Sequence, residues 1–168
     1  KVLLFPSGYQ ANIAAVISLA NHKTIIIADK FIHNSLLVGA KASGAKLVRF
    51  LHNDLKDLKK KLSKFSNENN NILVLVESLY SMEGSIAPIR DITNLCFKYN
   101  SKLLVDEAHA LGVLGPKGKG LSINYGNKIS LVSGTLGKAF GSGGAFLACD
   151  SKMGDHLIQT SDAFRYTT

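Results

Sequence analysis

Six short β-branched and aliphatic runs recur along the chain with amphipathic stretches between most of them, and this alternation constrains the fold more than any other feature. TIIIA (24–28), KLVRF (46–50), ILVLV (72–76), KLLVD (102–106), ISLVS (129–133) and GAFLA (144–148) read as strands. Most are apolar at consecutive positions, as strands covered on both faces must be. YQANIAAVISLA (9–20), SLLVGAKAS (35–43), the leucine-striped segment from near Asp54 and PIRDITNLCFKY (88–99) carry helical periodicity, and Pro88 suits a first helical turn. The order predicts an α/β fold, a mostly parallel sheet sandwiched by helices, with residues 1–168 forming one domain. The chain opens almost inside a further strand and stops at FRYTT with nothing to close it, so a fragment of a longer protein is expected.

With 46% apolar residues among 168 and a mean hydropathy of +0.12, the composition provides for a buried core. The net charge of +8 favours polyanions, but it is diffuse. Its densest run, DLKDLKKKLSKF (54–65), spaces Leu55, Leu58, Leu62 and Phe65 as a helix would, which reads as a solvated basic face over a core stripe. Cys96 and Cys149 stand far apart in no ligand spacing, which fits a reducing, cytoplasmic setting. No stretch approaches the ~18 apolar residues of a membrane span, and neither a membrane nor a nucleic acid is an expected partner.

LLVDEAHALG (103–112) contains the letters of a helicase box, an apolar strand delivering acids at its end. A phosphate-binding loop needs G-x-x-x-x-G-K-[ST]. The nearest match, SGTLGKAFGSGG, has Val132 where the first glycine belongs and Ala139 after Lys138, and it follows the DEAH stretch. GSGGAF puts Phe146 in the last glycine's place of G-x-G-x-x-G. A nucleic-acid or NTPase module is therefore only a distant alternative. Asp106, Glu107 and His109 lack the further ligands that would complete a metal site, so none is assigned.

Lys138 offers a different chemistry. A lysine in a glycine-rich turn after a strand can be approached closely and partly desolvated, as Schiff-base lysines are. If its carbonyl partner is pyridoxal phosphate, a carboxylate must keep the ring nitrogen protonated. Asp106, at a strand end, can point inward to do so, and His109, three residues on, can reach the phenolic oxygen. Glu107 is expected to face away and receives no role. PSGYQAN (6–12) sets Ser7 and Gly8 before an apolar helix, where free N–H groups meet an anion, although an ordinary helix cap reads equally well. His33, just after the strand TIIIA, can lie flat over an aromatic ring, although a lone histidine is more often structural. The loop LGVLGPKGKG (111–120) sits beyond a strand end, where open α/β sheets build their sites.

In this order the segments resemble the α-oxoamine synthases, fold-type-I pyridoxal-phosphate enzymes related to aminotransferases, along nearly the whole chain. The resemblance rests on FPSGYQAN, ADKFIHNS, FLHND, SLYSMEGSIAPI, LLVDEAHALGVLGPKGKG and SGTLGKAFGSGGAF. It implies that the chain is an incomplete large, cofactor-binding domain without its N-terminal segment and C-terminal small domain. It also implies a Schiff base and general base at Lys138, Asp106 on the pyridine nitrogen, His109 on the phenolic oxygen and His33 stacked on the ring. Ser81 matches a serine near the phenolic oxygen, Gly8 and Tyr9 a segment beside phosphate and ring, and Thr135 a phosphate ligand. Thr167 and Thr168 match a stretch that reaches the phosphate of a neighbouring subunit, which implies a homodimer.

Such enzymes condense an amino acid with an acyl-CoA or other acyl thioester and lose CO₂. The sequence leans toward those joining alanine to a pimeloyl thioester in biotin synthesis. Glycine C-acetyltransferase is the near alternative, with 5-aminolevulinate and serine palmitoyl synthases further off, and a catalytically silent homologue is a third class.

Overall fold

The computed structural model describes residues 1–66 and 71–166. Among the described residues, seven strands form one sheet: β1 (Val2–Phe5), β2 (Thr24–Asp29), β3 (Lys46–Phe50), β4 (Asn71–Glu77), β5 (Lys102–Asp106), β6 (Leu131–Thr135) and β7 (Ala145–Cys149), in the order β1-β7-β6-β5-β4-β2-β3. β7 runs antiparallel to both β6 and β1, and every other pairing is parallel. The expected mostly parallel α/β sheet is borne out. Six helices accompany it among the described residues: α1 (Gly8–Leu19), α2 (Asn34–Ala42), α3 (Leu55–Ser66), α4 (Ile89–Lys98), α5 (Ser151–Thr160) and α6 (Asp162–Arg165).

Strand side chains alternate between the two faces of a sheet, and the core divides accordingly. Ile26, Ala28, Leu73, Leu75 and Leu104 pack toward α1 and α2, while Ile25, Ile27, Val74, Val76, Leu103 and Val105 pack against α3 and α4. Burial on both faces is why these strands read as unbroken apolar runs. Helix composition follows position. α1 crosses the sheet and buries Ala11, Asn12, Ala14, Ala15, Val16 and Leu19, with small residues letting it approach closely. α3 lies on the outside, and only Leu58, Leu62 and Phe65 turn inward beneath its lysines.

Elements depart from the sequence reading at several points. β6 begins two residues later than expected, because a 3-10 turn at Gly126–Lys128 is capped at Ile129 and the Ser130 Oγ accepts a hydrogen bond from the Leu103 N–H. Pro88 caps α4 from outside rather than entering its first turn, with φ −75° and ψ 65°. α5 has no counterpart in the sequence reading. Gly154 weakens its helical pattern, but the Asp150 side chain caps it by accepting from the Met153 N–H at 2.8 Å.

The parallel strands bring their carboxyl ends to one edge of the sheet. Asp29, Glu77, Asp106 and Thr135 close β2, β4, β5 and β6 there. β1 pairs with β7 as β6 does, so it ends on the same edge and delivers the N-terminus of α1 to it. Among the described residues, no helix is long and apolar enough to cross a membrane.

Candidate active site

A cleft opens at that edge, with about 520 Å³ of space including its mouth. Gly8, Tyr9, His33, Asp106, His109, Thr135 and Lys138 line it, together with Asn12, Glu77 and Ser133. Residues far apart in sequence therefore meet, each set there by the end of a strand or the start of a helix.

At the floor, Asp106 is almost fully buried. One carboxylate oxygen accepts from the Asn12 Nδ2 of α1 at 2.7 Å, and the other accepts from the Ala108 N–H at 2.9 Å, which starts the turn that carries His109. Glu77 stands opposite Asp106 in the β4–β5 register and is also buried. Burial, then the neighbouring Asp106 charge, pushes the Glu77 carboxyl up to about 7, against a smaller opposing pull from the Ser81 and His33 backbone N–H groups and from Lys138.

At the rim, Lys138 occupies the turn between β6 and β7. The Thr135 Oγ1 braces that turn, donating to the Gly144 carbonyl and accepting from the Gly137 N–H, both at 3.2 Å. The lysine is exposed, not partly desolvated as its setting in the sequence suggested, since no described segment covers the turn. Its Nζ lies 2.6 Å from the His109 Nε2. Desolvation, then Lys138 itself, lowers the His109 pKa, so the imidazole favours its neutral form beside the amine.

The N-terminus of α1 forms one wall. The Ser7 hydroxyl accepts from the Gln10 N–H at 3.3 Å, so this serine is an ordinary cap. The first-turn residues Gly8 and Tyr9 stay at the cleft, and no acidic residue opposes the positive end of the helix dipole. His33 lies across from Tyr9, the rings nearly perpendicular with centroids 6.4 Å apart.

Two sequence-derived sets of residues stand differently. Ser81 does not line the cleft. Its backbone N–H donates to the Glu77 Oε2 at 3.1 Å and thereby ties the loop after β4 to the site. Thr167 and Thr168 lie outside the described residues. Glu107 does turn away from the cleft, but it has a structural role: it is fully buried, accepting from the Ser78 hydroxyl and the Ser122 N–H, each at 2.6 Å. A Cβ on Gly120 would fall 2.8 Å from its carboxylate, which is why glycine ends that loop.

Sequence reasoning missed Asn12, Ser35, Glu77 and Ser133. The available signal was a polar residue inside an apolar helix or closing an apolar strand. Among the described residues, Asn12 Oδ1, Glu77 Oε1 and Ser133 Oγ are buried at the cleft with no hydrogen-bond partner. Buried polar atoms normally have partners, so three together describe a pocket shaped for a polar ligand.

Residues 1–168 match the family of aminotransferase class I and II over their full extent. The chain belongs to that family. Among curated aminotransferase-like relatives, the 8-amino-7-oxononanoate synthase of Hydrogenovibrio crunogenus is 39% identical over 171 residues, covering 100% of this chain and 43% of that protein. Among solved structures, Sphingomonas wittichii serine palmitoyltransferase superposes with a TM-score of 0.92 at 33% identity, over 100% of this chain and 42% of that one. The 8-amino-7-oxononanoate synthase of Francisella tularensis gives 0.84 at 31%, over 99% and 48%. A further serine palmitoyltransferase structure, at 0.91 and 32% over 100% and 43%, contains pyridoxal phosphate. These relatives are α-oxoamine synthases, so the resemblance drawn from the sequence blocks is borne out within the aminotransferase class I and II family. The chain spans less than half the length of each.

Proposed function

We propose that the chain is the cofactor-binding portion of a pyridoxal-phosphate-dependent acyltransferase that joins an amino acid to an acyl thioester with loss of CO₂. One observation carries the reading: Lys138, His109 and Asp106 meet in a single cleft with three buried, unpartnered polar atoms. The residues suit the cofactor. Asp106 is an acceptor held by two donors and can keep a ring nitrogen protonated. The α1 N-terminus supplies N–H groups for a phosphate, the Thr135 hydroxyl can turn to it from the Gly144 carbonyl, and His33 faces the cleft where a flat ring would lie.

Bound there, pyridoxal phosphate supplies an electron sink for the charge that develops at the substrate α-carbon. The Lys138 amine, exposed on its turn, takes the proton from that carbon. His109 beside it accepts a hydrogen bond from the amine and orients it. Asp106 holds its counter-charge at the floor, where low dielectric strengthens it.

For substrates, the reading is L-alanine with a pimeloyl thioester, supported by the relatives named 8-amino-7-oxononanoate synthase. The serine palmitoyltransferase structures favour a second reading, an α-oxoamine synthase of other substrates, with glycine and acetyl-CoA as a further pair to compare. The active assembly is a homodimer, as the resemblance to the α-oxoamine synthases implies. Borohydride reduction of the full chain with pyridoxal phosphate should leave a phosphopyridoxyl group on Lys138. Turnover should be greatest with alanine and pimeloyl thioester when compared with glycine and acetyl-CoA, and with serine and palmitoyl-CoA. No adduct at Lys138, or ATP turnover in its place, overturns the assignment.

A further inference from the structure

Two walls of the cleft are joined by an unbroken hydrogen-bonded chain beneath it. The Asp106 Oδ2 lies 2.7 Å from the Asn12 Nδ2, the same Nδ2 lies 2.9 Å from the Ser35 Oγ, and that oxygen lies 2.7 Å from the His33 Nδ1. Asn12, Ser35 and Asp106 are all buried, so water does not compete for these bonds.

The direction of every bond follows from chemistry. An ionised carboxylate only accepts, so Asn12 must turn its amide nitrogen, not its oxygen, toward Asp106. That nitrogen has two protons, one for Asp106 and the other for the Ser35 oxygen. The Ser35 hydroxyl, already accepting from Asn12, has its own proton left to give, and the His33 Nδ1 is the atom in reach. The Ser35 backbone N–H points at the same nitrogen from 3.2 Å, as the cap of α2. With two donors aimed at it, Nδ1 presents its lone pair, and the ring proton belongs on Nε2.

We propose that Asn12 and Ser35 are positioning residues that carry the influence of Asp106 to His33 and hold the His33 imidazole in one tautomer, with Nδ1 bare and Nε2 protonated. The cap bond alone would orient His33 locally. Asn12 adds coupling to the acid at the far side of the cleft, 94 positions from it in sequence. The assignment deepens the pyridoxal-phosphate reading, because the acid at the ring nitrogen and the imidazole over the ring face would be set by one network.

The test is nitrogen NMR of the full chain carrying ¹⁵N-labelled histidine, with and without pyridoxal phosphate. The wild-type His33 should give the two-bond correlation pattern of an Nε2–H ring in both states. Asn12→Ala, which removes none of the hydrogen bonds made to His33 itself, should move its Nδ1 resonance toward that of a tautomer mixture. Ser35→Ala should move it at least as far, and Ser35→Thr, which keeps a hydroxyl, should restore it. A protonated Nδ1 in the wild type, or a His33 pattern indifferent to Asn12→Ala and Ser35→Ala, overturns the relay. If Asn12→Ala does not fold, the Ser35→Ala and Ser35→Thr pair decides. The relay and the cofactor reading fail separately: no adduct on Lys138 with the His33 pattern intact removes the cofactor and leaves the relay, and an adduct with an indifferent His33 does the reverse.

Discussion

The Lys138 amine sits 2.6 Å from the His109 Nε2, two basic groups from different strand ends in direct contact. While the amine is an ammonium it can only donate, so the imidazole then offers its Nε2 lone pair and His109 keeps its own proton on Nδ1. Burial is the larger cause of its lowered pKa and the lysine the second. Replacing Lys138 with Met removes the charge and keeps most of the bulk. In an NMR titration the His109 midpoint should rise in Lys138→Met yet stay below that of a free histidine, because burial persists. A midpoint that does not move would show that the amine exerts no field on the ring.

Asp106→Asn keeps the shape of the cleft floor and removes its charge. The substituted amide can turn its oxygen toward one of the two donors, the Asn12 Nδ2 and the Ala108 N–H, which now reach Asp106 at 2.7 and 2.9 Å, so the fold should hold. Pyridoxal phosphate should still bind, while turnover should fall about 100-fold or more, as when a buried electrostatic stabiliser is removed. Cofactor retention by absorbance alongside steady-state turnover makes the check. Undiminished turnover in the variant would refute a role for the carboxylate at the ring nitrogen.

How far the sequence disclosed this site depends on the scale of the signal. Strand runs such as ILVLV and KLLVD are apolar on both faces and so announce a covered sheet, and the acid closing KLLVD announces the edge where loops gather. Lys138 and His109 are legible because each lies in a short block of unusual composition. Asn12 is not, since one amide in YQANIAAVISLA hardly alters the helical pattern, and its importance arises only when β5 brings Asp106 beneath it. Glu107 receives no role from the sequence because its partners, Ser78 and Ser122, come from two loops whose approach no local pattern encodes. α5 is hidden by Gly154, a weak helix former whose close contact with the Lys1 side chain explains it.

Glu107 should matter to stability far more than its distance from the chemistry suggests. Glu107→Ala leaves the Ser122 N–H buried without its acceptor and the Ser78 hydroxyl with only the longer contact to the Asp106 carbonyl at 3.4 Å, at a cost of about 2–4 kcal/mol. Denaturant unfolding should show the unfolding free energy falling by that amount. A change under about 0.5 kcal/mol, the range of an ordinary surface substitution, would mean that water takes over both bonds and that the carboxylate does not anchor the loops.

Glu77 provides a prediction in which pH sets the sign. Its carboxyl titrates at about 7 in the folded chain against an ordinary 4.5, chiefly through burial and then through Asp106 beside it. Between those two values the folded state keeps a proton that the unfolded state has released. Stability therefore declines as pH rises from 4.5 to 7 and levels off above, for a total on the order of 3 kcal/mol from this group. Glutamine at the same position can still accept from the Ser81 N–H but has no proton to lose. Other ionising groups act on both proteins alike, so the informative quantity is the difference between them. Unfolding free energies measured from about pH 4.5 to about pH 8 should show Glu77→Gln gaining on the wild type across the interval between the two titrations, with little further change beyond it. Parallel curves would place the Glu77 titration near that of an ordinary carboxylate, and neither its burial nor the Asp106 charge beside it would then be what holds its proton.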